Sequence, residues 1–217
     1  STVGIIGGTG SGKSTLINLI PRFYDVTQGS VEVDGRNVKD YSFKQLRKQI
    51  GIVPQQSILF KGTIRDNMKW ENPDLSDEDI ITALKNAQAY EFVSKLPMGL
   101  DSHVEQGGKN FSGGQRQRLC IARAIAAQPK VLILDDSFSA LDFATDAALR
   151  KALSQYTHEM TVIIVTQRCS TIMNSDLILV LDDGMLVGKG THKELLKNCE
   201  TYKEICLSQL SKSEVEV

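Results

Sequence analysis

Nine consecutive residues near the start of this 217-residue sequence, Gly7-Gly8-Thr9-Gly10-Ser11-Gly12-Lys13-Ser14-Thr15, have the composition of an anion cradle. Four glycines let the backbone curl until successive N–H groups converge on phosphate oxygens, and their spacing satisfies G-x-x-x-x-G-K-[ST]. Lys13 is the point charge that reaches β and γ phosphates, Ser14 offers a hydroxyl to Mg²⁺, and Thr15 adds a second donor. Gly8, Thr9, Gly10, Ser11 and Gly12 form the cradle itself. A metal beside phosphates needs a carboxylate. In Val131-Leu132-Ile133-Leu134-Asp135-Asp136, Asp135 follows four apolar residues and so stands at the carboxyl end of a buried strand, where open α/β sheets hold ligands. A third candidate is Phe111-Ser112-Gly113-Gly114-Gln115. Ser112 and Gln115 have capping-box spacing, so a helix begins here with free N–H groups beside two glycines, a second anion site. Two such helix ends, about 100 residues apart, either grip one nucleotide together or each grip half of two nucleotides shared with another subunit.

These residues need strands and helices to hold them. Val3 to Ile6 is a β-branched run between glycines, hence a buried strand leading into the loop, and an amphipathic helix through Leu16 to Ile20 stops at Pro21. The strand begins almost at residue 1 with nothing ahead of it to pair with, so an excerpt of a longer polypeptide is expected. The helix after Ser112 runs through Arg116 to Gln128 and stops at Pro129. A further buried strand, Thr161 to Thr166, ends in Gln167. Ser30 to Val33 with Asp34-Gly35 reads as a strand and tight turn, and Leu177 to Leu181 with Asp182-Asp183-Gly184 begins a hairpin continued by Met185 to Val187. Ser76 caps a helix over Asp79 to Ala87, Tyr90 to Leu96 is a short helix, and Thr191 with Glu194 opens a C-terminal one. The tail, 211–217, is polar and expected to fray.

Composition narrows the classes. Hydrophobic residues make up 41% and charged residues 24%, an ordinary globular balance, and the net charge is −1, which excludes a generic nucleic-acid coat. The longest aliphatic runs fall far short of the roughly 20 residues that span a bilayer, and residues 1–6 lack the basic start of a signal peptide. Cys120, Cys169, Cys199 and Cys206 form no C-x-x-C pair and read as reduced, small hydrophobes rather than a disulfide scaffold. His103, His158 and His192 have no neighbours at metal-ligand spacing and read as solvated.

Taken together, the sequence resembles the nucleotide-binding domain of an ATP-binding cassette (ABC) transporter over nearly its whole length. Gly7 to Thr15 corresponds to the Walker A loop, Gln55 in Ile52-Val53-Pro54-Gln55 to the Q-loop glutamine, and Ser112 to Gln115 to the signature motif. Val131 to Asp135 corresponds to Walker B, and Asp142 in Ser139-Ala140-Leu141-Asp142 to the D-loop aspartate. The resemblance implies an α/β fold: a RecA-like P-loop NTPase core with a parallel sheet (1–55 and 129–217), a truncated antiparallel β subdomain, and an inserted helical subdomain (56–128). It implies ATP and Mg²⁺ as ligands, with Ser14, Gln55 and Asp135 around the metal. In this family two domains pair head to tail, each closing its signature motif on ATP held by the other. A second nucleotide-binding domain is therefore the implied partner, and nucleic acid is not. The stretch Leu59-Phe60-Lys61-Gly62-Thr63-Ile64-Arg65-Asp66-Asn67 is similar to the exporter branch, in which this domain is fused to a membrane domain and sits at the cytoplasmic face of the membrane. The aromatic that stacks on adenine lies upstream of Walker A in this family; Tyr24 and Tyr41 read as structural or surface aromatics. DNA-repair and chromosome-maintenance ATPases share these motifs but interrupt the fold with a long coiled coil, and no heptads separate Lys13 from Ser112.

Two departures are informative. The family's catalytic glutamate is replaced by Asp136, whose carboxylate is about 1.5 Å shorter in reach, and its switch histidine by Gln167, whose amide donates a hydrogen bond but does not exchange a proton near neutral pH. Both would serve one γ-phosphate. With an intact signature motif, they imply a site that binds ATP and hydrolyses it poorly, in a non-identical pair whose other site is competent. In the loop before the signature, Glu105 stands where a glycine is usual and Gln106 where a glutamate is usual.

Overall fold

The computed structural model describes residues 1–156 and 160–210; His158 and the polar tail lie outside the described residues. Along the chain run β1 (Thr2–Ile6), α1 (Lys13–Asn18), β2 (Glu32–Val33), β3 (Arg36–Asn37), α2 (Phe43–Arg47), β4 (Ile50–Val53), β5 (Gly62–Thr63), α3 (Ile64–Met68), α4 (Asp77–Asn86) and α5 (Tyr90–Ser94). They are followed by β6 (His103–Val104), α6 (Gly113–Ala126), β7 (Val131–Asp135), α7 (Phe143–Tyr156), β8 (Thr161–Thr166), α8 (Cys169–Ile172), β9 (Leu177–Asp182), β10 (Met185–Gly190), α9 (His192–Asn198) and α10 (Glu200–Gln209). The expected α/β class is the observed one: a six-stranded sheet in the order β10-β9-β1-β8-β7-β4, with smaller hairpins β2-β3 and β5-β6.

β1 pairs in parallel with β8 on one side, Ile5 facing Val165, and with β9 on the other, Ile5 facing Leu179. Strands flanked on both edges and covered on both faces read as continuous apolar runs, which is why Val162 to Val165 and Leu132 to Leu134 are all buried. A Cβ on Gly4 would sit 2.7 Å from Ile172 Cβ, so glycine there lets α8 lie directly on β1. β9 and β10 form the antiparallel edge, with a bulge between Leu186 and Gly188.

The chain divides into two compact units, 1–50 with 133–136 and 161–217, and 51–132 with 137–160. The second is organised around α6, whose buried face carries Leu119, Cys120, Ile121, Ala122, Ile125 and Ala126. Capping boxes set where helices begin: Ser42 with Gln45, Thr63 with Asp66, Ser76 with Asp79, Ser112 with Gln115 and Thr191 with Glu194. The cap at Ser76 starts α4 at Asp77, two residues before the expected start, because N1 and N2 are already helical. α1 ends at Asn18 rather than Ile20; its last turn tightens into Leu19 N–H to Leu16 and Ile20 N–H to Ile17 bonds ahead of Pro21.

Candidate functional site

β1 delivers the chain to a loop that only glycine can build. A Cβ at Gly7 would lie 2.1 Å from the Leu181 carbonyl oxygen and 2.6 Å from Ser11 Oγ, while Gly10 (φ 80°) and Gly12 (φ 92°) adopt left-handed backbone. A Cβ on Gly8 or Gly10 would meet nothing within 4 Å, so this side of the loop is open to an approaching group. Ser11 closes the loop through its N–H to the Gly8 carbonyl (3.3 Å), and its own carbonyl accepts from Gly184 N–H in the β9–β10 turn (3.2 Å). Lys13 Nζ donates to Gly7 O (2.8 Å), Gly8 O (2.6 Å) and Ser11 Oγ (3.3 Å). Partial burial lowers the Lys13 ammonium from its ordinary range, and Asp135 and Asp136 oppose that.

Asp135 ends β7, and Ser14 Oγ donates to its Oδ2 at 3.3 Å. Burial raises the Asp135 carboxyl above the usual carboxylate range and Asp136 adds to it, against the Ser14 hydrogen bond and Lys13. A hydroxyl and a carboxylate side by side are the hard oxygen donors that Mg²⁺ takes, so these residues fit that ion. Asp136 turns the chain out of the strand at φ 47°, a left-handed conformation that aspartate tolerates, and donates its N–H to the Val165 carbonyl at 2.8 Å. Gln167 follows β8, and its Nε2 reaches Thr9 Oγ1 in the loop at 3.5 Å. The first unit thus brings together Gly8 to Thr15, Asp135, Asp136 and Gln167. Sequence reasoning missed Gln209 on α10, whose Nε2 donates to the Gln167 carbonyl (2.7 Å) and whose Oε1 accepts from Cys169 N–H (2.9 Å).

The other candidates lie in the second unit. Ser112 Oγ accepts from Gln115 N–H (3.2 Å) and Gln115 Oε1 from Ser112 N–H (3.0 Å), so both side chains are used to start α6. Gly113 and Gly114 face Ala140: an added Cβ would come within 3.7 Å of its Cβ and 3.3 Å of its carbonyl oxygen respectively. Gln117, 2% exposed, accepts from Ala140 N–H at 3.2 Å and fastens the 139–142 loop to α6. Its one sequence signal is a polar residue on the apolar face of that helix. Gln55 is exposed on a cavity of about 430 Å³ whose lining includes Gly113, Ser139 and Ala140. Asp142 caps the start of α7, accepting from Thr145 N–H (3.0 Å) and Thr145 Oγ1 (2.7 Å), bonds that hold its carboxyl below the usual range.

The cysteine and histidine expectations need correction. Cys169 and Cys206 are joined by a disulfide, and only Cys120 and Cys199 among the four are free thiols, both buried. His192 is not a solvated side chain: its Nδ1 lies 2.8 Å from the Tyr202 hydroxyl, and its ring is gathered with Cys169 and Cys206, ligand atoms all within 4.8 Å. The contacts arise because α8, α9 and α10 pack together, which spacing along the chain does not encode. His103 is exposed, as expected. Tyr41 is structural, its hydroxyl donating to the Val33 carbonyl at 2.9 Å with Arg36 over its ring, and Tyr24 is exposed.

The family model described as ABC transporter matches residues 1–139. An uncharacterized ABC transporter ATP-binding protein of Bacillus subtilis is 48% identical over 97% of this chain and 36% of its own length. A protein of Staphylococcus aureus, named provisionally as a multidrug export ATP-binding/permease protein, is 45% identical over 94% of this chain and 35% of its own. Among solved structures, that of a bacterial Atm1-family ABC exporter with ATP bound superposes with a TM-score of 0.93 at 37% identity, covering 98% of this chain and 37% of that one. The chain therefore spans little more than a third of the length of these relatives. No helix among the described residues is long and apolar enough to cross a membrane.

Proposed function

The chain belongs to the ABC transporter family, and we propose that it is the ATP-binding domain of an exporter, the member of a non-identical pair that binds MgATP tightly and hydrolyses it poorly. The observation that carries this reading is the pairing of Asp136 and Gln167 at one site: Asp136 follows Asp135 beside the phosphate loop, and Gln167 reaches Thr9 within that loop. A hydrolytic site needs a base within about 2.6–3.2 Å of the attacking water and a group that handles proton and charge at the γ-phosphate. Asp136 is one methylene too short for the first, and the Gln167 amide is confined to hydrogen bonding for the second.

Binding keeps its machinery. The 7–15 loop wraps the phosphates with backbone N–H groups, Lys13 places its ammonium among them, and Thr15 adds a hydroxyl donor. Ser14 and Asp135 would hold Mg²⁺, which when bound offsets charge on the β and γ phosphates. Ser112 to Gln115, intact and capped, complete the partner's competent site, with Asp142 in the loop that Gln117 fastens to the same helix. Residues 56–128 act as the inserted helical subdomain. A membrane domain of the full-length protein is the second partner, placing the chain at the cytoplasmic face. The names of the Staphylococcus aureus relative and of the exporter structure support export as the transported direction.

ATPase activity of the chain alone, set against the chain assembled with its partner, tests this. Turnover is expected only in the assembly and to vanish when the partner's own phosphate-loop lysine is replaced by alanine. Full turnover by this chain alone overturns the reading.

A further inference from the structure

α10 grips one short segment three times. Cys206 is bonded to Cys169, with Cα atoms 5.6 Å apart and both residues fully buried. One turn further on, Gln209 donates to the Gln167 carbonyl at 2.7 Å and accepts from Cys169 N–H at 2.9 Å. A covalent bond and two hydrogen bonds thus bracket residues 167–169, and the side chain at the front of that bracket, Gln167, reaches Thr9 in the phosphate loop. Beside the sulfurs, the Tyr202 hydroxyl lies 3.4 Å from Cys169 Sγ and 2.8 Å from His192 Nδ1. Burial, with a contribution from Lys193, lowers the His192 imidazole from its ordinary range.

We propose that Cys169 and Cys206 are a thiol–disulfide switch: oxidation by a low-molecular-weight disulfide staples α10 to the Gln167 segment and slows nucleotide release from the phosphate loop, and reduction by thiols reverses it. The effect on release rests on the placement of Gln167 at the γ-phosphate, and the reversibility on the proposed cytoplasmic placement; the pairing of the two cysteines rests on neither. A disulfide in a domain at the cytoplasmic face meets a reducing milieu, where such bonds are transient and regulatory rather than permanent.

The chemistry balances as ordinary exchange. As α10 opens, the Cys169 thiol loses its proton to solvent, and the thiolate attacks one sulfur of a small disulfide RSSR. A mixed disulfide forms, and the departing RS⁻ takes up a proton from solvent. The Cys206 sulfur then attacks the Cys169 sulfur, breaking the mixed bond; the second RS⁻ leaves with the Cys206 proton. Two protein thiols and RSSR become one protein disulfide and two RSH. Because both sulfurs are fully buried, exchange proceeds through local opening of α10.

The test equilibrates the intact protein in mixtures of reduced and oxidised glutathione, maps thiols by differential alkylation and mass spectrometry, and follows release of a fluorescent ATP analogue. Cys169 and Cys206 are expected to convert together and reversibly while Cys120 and Cys199 stay alkylatable on denaturation, with release at least about fivefold slower in the oxidised form, the lower end of ordinary site-to-site coupling. Cys206→Ser is expected to abolish the redox dependence of release and Cys199→Ser to preserve it. Since the wild-type comparison needs no variant, a poorly folding Cys206→Ser leaves the test intact. Failure of the pair to form at any ratio, or formation without a change in release, overturns the proposal. So does uptake of one Zn²⁺ by the reduced protein that is lost in His192→Ala and blocks oxidation, which assigns the three ligands to a metal instead. Oxidation that slows release equally in wild type and Gln167→Ala upholds the switch and removes Gln167 as its route.

Discussion

Asp136→Glu combined with Gln167→His is expected to raise ATP turnover at this chain's own site by about 10²-fold or more, the ordinary contribution of a well-placed acid–base group. The added methylene carries the carboxylate about 1.5 Å further toward the water it must touch, and histidine supplies an exchangeable proton in the neutral range. Two costs oppose the gain. Residue 136 sits at φ 47°, where glutamate is less at ease than aspartate by up to roughly 1–2 kcal/mol, and a histidine at 167 gives up the amide contact to Thr9, weak at 3.5 Å. The backbone cost weighs on ground and transition states alike and leaves the barrier unchanged, and the lost Thr9 contact is smaller than the roughly 2.7 kcal/mol that a hundredfold rate change represents, so the sign holds. Phosphate release from the assembled pair, with the partner's phosphate-loop lysine replaced by alanine, reads the effect; Asp136→Glu alone is expected to recover part of it.

Lys13→Ala is expected to weaken ATP binding at this site by about 100-fold or more. The ammonium is held on Gly7 O, Gly8 O and Ser11 Oγ, so it arrives at the phosphates already oriented. Charge-assisted hydrogen bonds contribute about 1.5–3 kcal/mol each, and two of them exceed the roughly 2.7 kcal/mol of a hundredfold affinity change. Folding stability is expected to change little, because the lost loop contacts are offset by relief of the ammonium's burial, which its attraction to Asp135 and Asp136 only partly opposes. Equilibrium titration with a fluorescent ATP analogue and a thermal melt of the same sample separate the two effects.

The features legible in the sequence are those written locally. The 7–15 loop declares itself because Gly10 and Gly12 need left-handed backbone and Gly7 has no room for a side chain. Capping boxes at Ser76, Ser112 and Thr191 announce helix starts through partners three residues away. β7 and β8 are recognisable as apolar runs ending in polar residues. What stayed hidden depends on packing between distant segments. Gln117 looks like one more polar residue on a helix until the 139–142 loop folds against it, and Gln209 lies 42 residues from the backbone it supports. Cys169 and Cys206, 37 apart, have no spacing that marks them as partners; only the docking of α10 on α8 brings them within bonding distance. Asp142 carries a further lesson: its carboxylate caps α7 through Thr145, a local structural duty that a motif reading passes over.

The central claim, that this chain's site holds ATP without consuming it, is tested most directly by what nucleotide remains on it after turnover. The assembled wild-type pair is run with a photoreactive ATP through many cycles, crosslinked, and the two subunits separated for nucleotide analysis. The expected result is ATP on this chain and ADP on its partner. ADP recovered from this chain in the same proportion as from the partner contradicts the account.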